Sequence, residues 1–238
     1  MLICTVSGKG GTGKSTVSSG LAVAAANMGK RVLLVDLDAS LRCLDIIFGI
    51  DDKIVFDLSD AIKEKSIKKA IYPAAFYDNV FIVPAPSAGK IDFNALKALL
   101  KSAEAHFDFI ILDFPAGADF ENYAVFGGAQ FIVVSGADSV SVRDAGVISA
   151  GIRSSVPPRL VINRFDIDMV KGGMHKNIDG IIDAASTRLL GIVPADGELL
   201  TLSVNHRLKP RGRAAKAFTR IIKRVSGEDV TLPKLKKI

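Results

Sequence analysis

Gly8-Lys9-Gly10-Gly11-Thr12-Gly13-Lys14-Ser15-Thr16 follows directly on the apolar run Leu2 to Val6. It leads into Ser15 to Met28, where small apolar residues recur at helical spacing until Gly29 closes the run. Residues 8–15 fit the pattern G-x-x-x-x-G-K-[ST]. A strand, a glycine-rich loop and a helix in this order form a cradle for phosphate. The glycines admit positive φ, so successive backbone N–H groups turn into one concavity. The first turn of the helix adds unpaired N–H groups and the positive end of its dipole. Residues Gly8 to Thr16 are therefore read as the phosphate-binding part of a nucleotide site, with Lys14 reaching the β- and γ-phosphates and Ser15 ligating Mg²⁺.

Outward from this loop the chain alternates strands and helices. Arg31 to Asp36 contains Val-Leu-Leu-Val, apolar on both faces, as in the middle of a parallel sheet covered by helices. Further strands are expected at Val80 to Val83, Phe107 to Leu112, Phe131 to Val134, Leu160 to Ile162 and Leu189 to Val193. Helices are expected at Phe93 to Ala105 and near 139–152, 174–185 and 213–225. The fold class is α/β: one doubly wound, mostly parallel sheet with helices on both faces. Residues 1–226 read as a single domain and 227–238 as a basic C-terminal tail.

In such sheets ligands sit beyond the carboxyl ends of the strands. Asp36 and Asp38 follow the second strand, and Asp113 follows Phe-Ile-Ile-Leu. The three carboxylates should converge on the phosphate end. One would hold a Mg²⁺-bound water and another would orient the attacking water. For any one of them alone a helix N-cap is the alternative, and for all three together it is a much weaker one.

With 49% hydrophobic and 24% charged residues, the 238-residue chain can build a large core, which excludes global disorder. No apolar run reaches the roughly 18 residues that span a bilayer, and Met1 to Val6 lacks the features of a signal peptide. The expected location is cytoplasmic. Cys4 and Cys43 form no disulfide framework or CxxC site, and His106, His175 and His206 are scattered. The net charge of +6 is uneven. Residues 205–238 hold eleven Lys and Arg against two acidic residues, a local +9, which leaves −3 for the rest. A basic end on a near-neutral body points to a polyanionic surface, membrane or nucleic acid, or else to a solvated tail.

The segment from Lys9 to Ser15 resembles the deviant Walker A motif of the MinD/ParA ATPases, in which Lys9 is the signature lysine; the resemblance is nearest to the MinD branch and spans nearly the whole chain. Val35-Asp36-Leu37-Asp38 with Leu41 to Asp45 resembles the branch's switch I, and Leu112 to Gly117 its switch II. Ser141 to Asp144 resembles the start of its dimer and partner helix. Val161 to Arg164 and Gly191 to Asp196 resemble its base-recognition loops. The resemblance implies ATP as nucleotide, with Mg²⁺, and an ATP-bound homodimer in which Lys9 crosses to the partner's phosphates. It implies slow, dimer-gated hydrolysis with Lys9, Lys14 and Asp38 as catalytic residues. Mg²⁺ would be held by Ser15, Asp36, Asp38 and Asp113, and the base by Asn163, Arg164, Pro194 and Asp196. Ser40 and Cys43 stand where the MinD branch usually has Gly and Asn.

The first functional reading is division-site placement or cargo positioning, with a MinC- or MinE-like regulator and a peripheral position at the inner face of the cell membrane. The alternative is ParA-like DNA segregation, with Arg207, Lys209, Arg211 and Arg213 contacting DNA phosphates non-specifically. Flagellar-number regulators and metallochaperones share these motifs. A cluster carrier does not fit, because residues 114–117 lack a cysteine and no CxxC is present. Ala214, Phe218, Ile221, Ile222 and Val225 share one helical face, read as the final core helix rather than a membrane-binding one.

Overall fold

The computed structural model describes residues 1–87, 89–175, 177–208 and 212–233; Lys209, Arg211 and the tail Lys234 to Ile238 lie outside them. The first half contains β1 (Leu2–Val6), α1 (Lys14–Asn27), β2 (Val32–Asp36), α2 (Leu44–Ile47), α3 (Leu58–Lys63), β3 (Tyr72–Ala74), β4 (Tyr77–Val83), α4 (Phe93–Ala103) and β5 (Phe109–Asp113). The second half contains α5 (Phe120–Val125), β6 (Gln130–Ser135), α6 (Ser139–Gly151), β7 (Arg159–Phe165), α7 (Ile167–Lys171), α8 (Ile178–Ala185), β8 (Arg188–Pro194), α9 (Gly197–Leu200), α10 (Leu202–Asn205) and α11 (Arg213–Val225).

The strands form one eight-stranded sheet in the order β3-β4-β2-β5-β1-β6-β7-β8. All neighbours are parallel except β3 and β4. Strand period 2 divides the core into two layers. Cys4, Leu33, Val35, Ile110, Leu112 and Phe131 face one side, while Ile3, Leu34, Ile111, Ile132 and Val134 face the other. β1 lies between β5 and β6, so its carboxyl end, where the glycine-rich loop begins, opens at the centre of the sheet.

α1 has almost no amphipathic character because it is buried between the sheet and α11. Small residues permit this. A Cβ at Gly20 would overlap the Phe218 ring of α11. Ala214, Phe218, Ile221 and Ile222 are buried in the same layer, so α11 is a core helix whose apolar face is already covered.

The sheet departs from the sequence reading at its edge and in its short helices. β4 begins at Tyr77, and β3, which was not among the expected strands and contains Pro73, pairs with it antiparallel. An edge strand tolerates proline because one side of its backbone needs no ladder partner. The helix expected near 174–185 starts at Ile178, after Asn177 caps it, and a separate α7 precedes it. The strand expected from Phe107 begins at Phe109. α2, α3, α5, α9 and α10 are six residues or shorter, too brief to show a helical period.

Asp57 illustrates how local chemistry starts one of these short helices. Its side chain accepts the N–H groups of Ser59 (2.8 Å) and Asp60 (3.3 Å), and Asp60 returns a bond from the Asp57 N–H (3.0 Å), a capping box. Its other oxygen accepts Ser87 N–H at 2.7 Å and so ties down the loop after β4. Burial alone would raise this carboxyl, but the bonds from Ser59, Ser87 and Asp60 outweigh it and hold Asp57 at about 2. A carboxyl depressed in the folded state adds stability above its unfolded value of about 4, and that contribution fades as pH falls towards 2. Asp57→Ala should therefore cost about 1–2 kcal/mol at neutral pH. Urea midpoints should show the gap narrowing below about pH 4.

Candidate functional site

The glycine-rich loop bridges β1 and α1. Gly11 and Gly13 have φ of 81° and 83°, and Gly13 occupies the N-cap position of α1. A Cβ at Gly13 would be strained by that φ and would overlap the Asn163 side-chain amide. Two β7 residues brace the loop from outside: Asn163 Nδ2 donates to Thr12 O at 2.8 Å, and Arg164 Nη1 donates to Gly11 O at 3.1 Å. Arg164 itself sits at φ 54°, a left-handed conformation uncommon for a residue other than glycine.

Lys14 opens α1 and points inward rather than to solvent. Its ammonium lies 2.9 Å from Asp113 Oδ1 and 3.4 Å from Ser15 Oγ. The same Oδ1 accepts bonds from Ser18 (2.7 Å) and Thr5 (3.1 Å). Asp113 is fully buried at the end of β5, and its Oδ2 has no partner among the described residues. Asp36 is its register neighbour on β2. Burial, with Asp113 alongside, pushes Asp36 up to about 7. Asp36 Oδ1 accepts Asp38 N–H at 2.9 Å, and Oδ2 accepts Cys43 and Leu44 N–H at 3.4 and 3.3 Å. It therefore braces the loop after β2. Asp38 shapes the tip of that loop, its Oδ1 accepting the N–H groups of Ser40 (3.1 Å) and Leu41 (3.0 Å).

Two adjoining cavities follow from this arrangement. A cleft of about 240 Å³ runs over the loop, lined by Lys9 to Thr16 together with Asp38, Leu41, Cys43 and Ala116. A pocket of about 270 Å³ is walled by Asn163, Arg164, Pro194, Asp196, Leu199 and Leu200. Thr16 and Arg164 line both, so the cavities adjoin. Asp196 caps α9 by accepting Glu198 N–H at 3.1 Å, and it accepts Ala214 N–H at 3.3 Å, which fixes the far wall of the pocket to α11. The structure thus gathers the loop residues and Asp38 around one cleft and Asn163, Arg164, Pro194 and Asp196 around the next. Asp36 and Asp113 lie beneath, fully buried.

The oxygen donors fit a hard divalent cation. Ser15 lines the cleft, and the Asp36 and Asp113 carboxylates lie buried beneath it, with Asp113 Oδ2 unpartnered among the described residues. A second positive charge there would relieve the repulsion between the two aspartates. The described residues contain no group of three or more His, Cys, Asp or Glu able to cage a metal. Mg²⁺ keeps several waters and takes part of its shell from substrate phosphates.

Comparison with known proteins identifies this arrangement. The family model described as the CobQ/CobB/MinD/ParA nucleotide binding domain matches residues 3–208. The chain belongs to this MinD/ParA family. It is 36% identical to the septum site-determining protein MinD of Bacillus subtilis, over 99% of this chain and 92% of that protein. Among solved structures, the MinC:MinD cell division protein complex of Aquifex aeolicus aligns with a TM-score of 0.86 at 27% identity, covering 98% of each chain. MinD of Pyrococcus horikoshii complexed with Mg-ADP aligns with a TM-score of 0.78 at 28% identity, covering 94% of this chain and 95% of that one.

In this MinD/ParA chain Lys9, the signature lysine by sequence, is exposed at the mouth of the cleft. It also borders a smaller pocket with Asp138, Ser141 and His175. Burial would raise Asp138, but bonds from Ser141 and the nearby Lys9 charge hold it below the usual carboxylate range. Sequence reasoning missed Thr5 and Ser18, the two hydroxyls that share Asp113 Oδ1 with Lys14. Their signal was a lone polar residue in Leu-Ile-Cys-Thr-Val and a Ser-Ser pair inside an otherwise apolar helix.

Proposed function

We propose that the protein is a Mg²⁺-dependent ATPase switch of the MinD type, active as an ATP-bound homodimer and serving division-site placement. The observation that carries this reading is the pairing of a built phosphate cleft with an exposed Lys9 at its mouth. The backbone N–H groups of the loop and of α1 would take the phosphates, and the base would enter the adjoining pocket beside Asn163 and Pro194. Lys14 has three N–H donors and commits one each to Asp113 and Ser15, which leaves one for a γ-phosphate oxygen. Ser15, Asp36 and Asp113 would hold Mg²⁺ and its waters. When bound, the ion would neutralise charge developing on the transferred phosphoryl group. Asp38 would orient the attacking water with the oxygen that Ser40 and Leu41 do not use. Lys9 of a second copy would complete the site, as an arginine finger does in trans.

The MinC:MinD complex among its structural relatives supports a MinC-like partner. The apolar face of α11 is buried, so a membrane role for that helix has no support. No described helix is long and apolar enough to cross a membrane. The excess of Lys and Arg in residues 205–238 would favour an anionic membrane surface electrostatically. A completed site in trans makes turnover second order in protein. ATP hydrolysis per protomer should rise with concentration before reaching a plateau. A turnover number constant across dilution would overturn the dimer-gated reading.

A further inference from the structure

Asn163 and Arg164 are consecutive residues of β7, yet both side chains reach the phosphate loop. A regular strand would send them to opposite faces of the sheet. The register explains the exception. Ile162 pairs with Ile192 and Phe165 with Pro194, so β7 holds Asn163 and Arg164 where β8 holds Val193 alone. This is a β-bulge, with Arg164 in left-handed backbone at φ 54°. Ile162 and Phe165 consequently face the same core layer although they are three residues apart. Such a backbone is costly for an arginine, and strain of this kind gathers at functional sites.

The two side chains take successive carbonyls. Asn163 Nδ2 donates to Thr12 O at 2.8 Å and Arg164 Nη1 to Gly11 O at 3.1 Å. A trans peptide unit is planar, and its C=O and N–H point in opposite directions. Turning the Gly11 and Thr12 carbonyls towards β7 therefore turns the N–H groups of Thr12 and Gly13 the other way. That is the side of β5 and β2, where Ala116 and Asp38 wall the cleft. Neither N–H donates to a backbone carbonyl among the described residues. We propose that Asn163 and Arg164 are positioning residues for the phosphates. The bulge in β7 sets two peptide planes of the loop, so both N–H groups are aimed before the ligand arrives. Donors fixed in this way need no reordering when the anion binds. The same two residues wall the base pocket, so one kink in β7 serves both ends of the nucleotide. This inference rests on the nucleotide reading above.

A ligand without a base separates this role from a base contact. Inorganic tripolyphosphate and a non-hydrolysable ATP analogue, each with Mg²⁺, are titrated calorimetrically into the parent, Asn163→Ala and Arg164→Gly. Glycine at 164 adopts the left-handed backbone freely, so that variant removes only the guanidinium. Arg164 is exposed, and Arg164→Gly decides on its own if Asn163→Ala does not fold. Each variant should lose about three- to tenfold in affinity, as for one modest hydrogen bond. The factor should be the same for both ligands. Amide NMR then distinguishes aiming from direct contact. In the parent, saturating tripolyphosphate should shift the Thr12 and Gly13 amide resonances. Asn163→Ala should diminish the Gly13 shift and Arg164→Gly the Thr12 shift. Tripolyphosphate affinity equal to the parent's, with only the ATP analogue bound less well, would overturn the inference and leave the pair as base contacts. Thr12 and Gly13 shifts unchanged in the variants would overturn it too. A parent that bound neither ligand would overturn the nucleotide reading itself, and this inference with it.

Discussion

Lys14→Ala should abolish measurable ATP binding while leaving the protein folded. Among the described residues that line the cleft, Lys14 is the one buried cation, 6% exposed, and its ammonium sits where the γ-phosphate would arrive. A charge-assisted hydrogen bond in such a site contributes about 1.5–3 kcal/mol. Leaving a buried charge without its partner adds to the loss, so affinity should fall at least about a hundredfold. The variant also strips Asp113 of its counter-ion. Breaking a buried pair from one side can cost about 3–5 kcal/mol, but the Ser18 and Thr5 hydroxyls still bond Oδ1 and should moderate this. Isothermal titration with ATP and Mg²⁺, paired with circular dichroism at the same temperature, separates the two effects. Binding within a few-fold of the parent would mean that Lys14 serves the fold through Asp113 and not the nucleotide.

Lys9→Ala should behave in the opposite way. Lys9 is exposed and makes no ion pair among the described residues, so the protomer's own stability and affinity for ATP should change little. The loss should fall on the pairing of two ATP-bound copies and, with it, on turnover. A cation delivered to the partner's phosphates acts on charge that develops during transfer, and losing one such donor costs about a hundred- to a thousandfold in rate. Single-turnover kinetics with ATP saturating both proteins would read this directly. Mixing Lys9→Ala with a Lys14→Ala chain makes the test sharper. The Lys14→Ala chain binds no ATP but still supplies Lys9, so rescue in the mixture would show that the lysine works across the interface.

Much of this site could be read from the sequence because it rests on local patterns. Glycines at fixed spacing and a strand-end aspartate need only the neighbouring residues to declare themselves. The sheet was legible for the same reason: β1, β2 and β5 are apolar on both faces, as central parallel strands must be. What stayed hidden depends on distant residues meeting. Thr5, Ser18 and Asp113 are neighbours only because β1, β5 and α1 pack side by side. Asn163 was expected at the adenine edge; it lines the pocket beside Arg164 and Pro194, and its amide also holds the loop by bonding Thr12 O. α11 reads from its sequence as strongly amphipathic. It also reads from the sequence as the final core helix, and its packing against α1 and β8 buries that apolar face.

The central claim is that ATP joins two copies of this chain through Lys9. Sedimentation velocity with Mg²⁺ and a non-hydrolysable ATP analogue, on the parent and Lys9→Ala side by side, tests it most directly. The parent should shift from monomer to dimer on adding the analogue, and Lys9→Ala should stay monomeric at the same nucleotide saturation. A parent that remains monomeric with the analogue fully bound would contradict the claim.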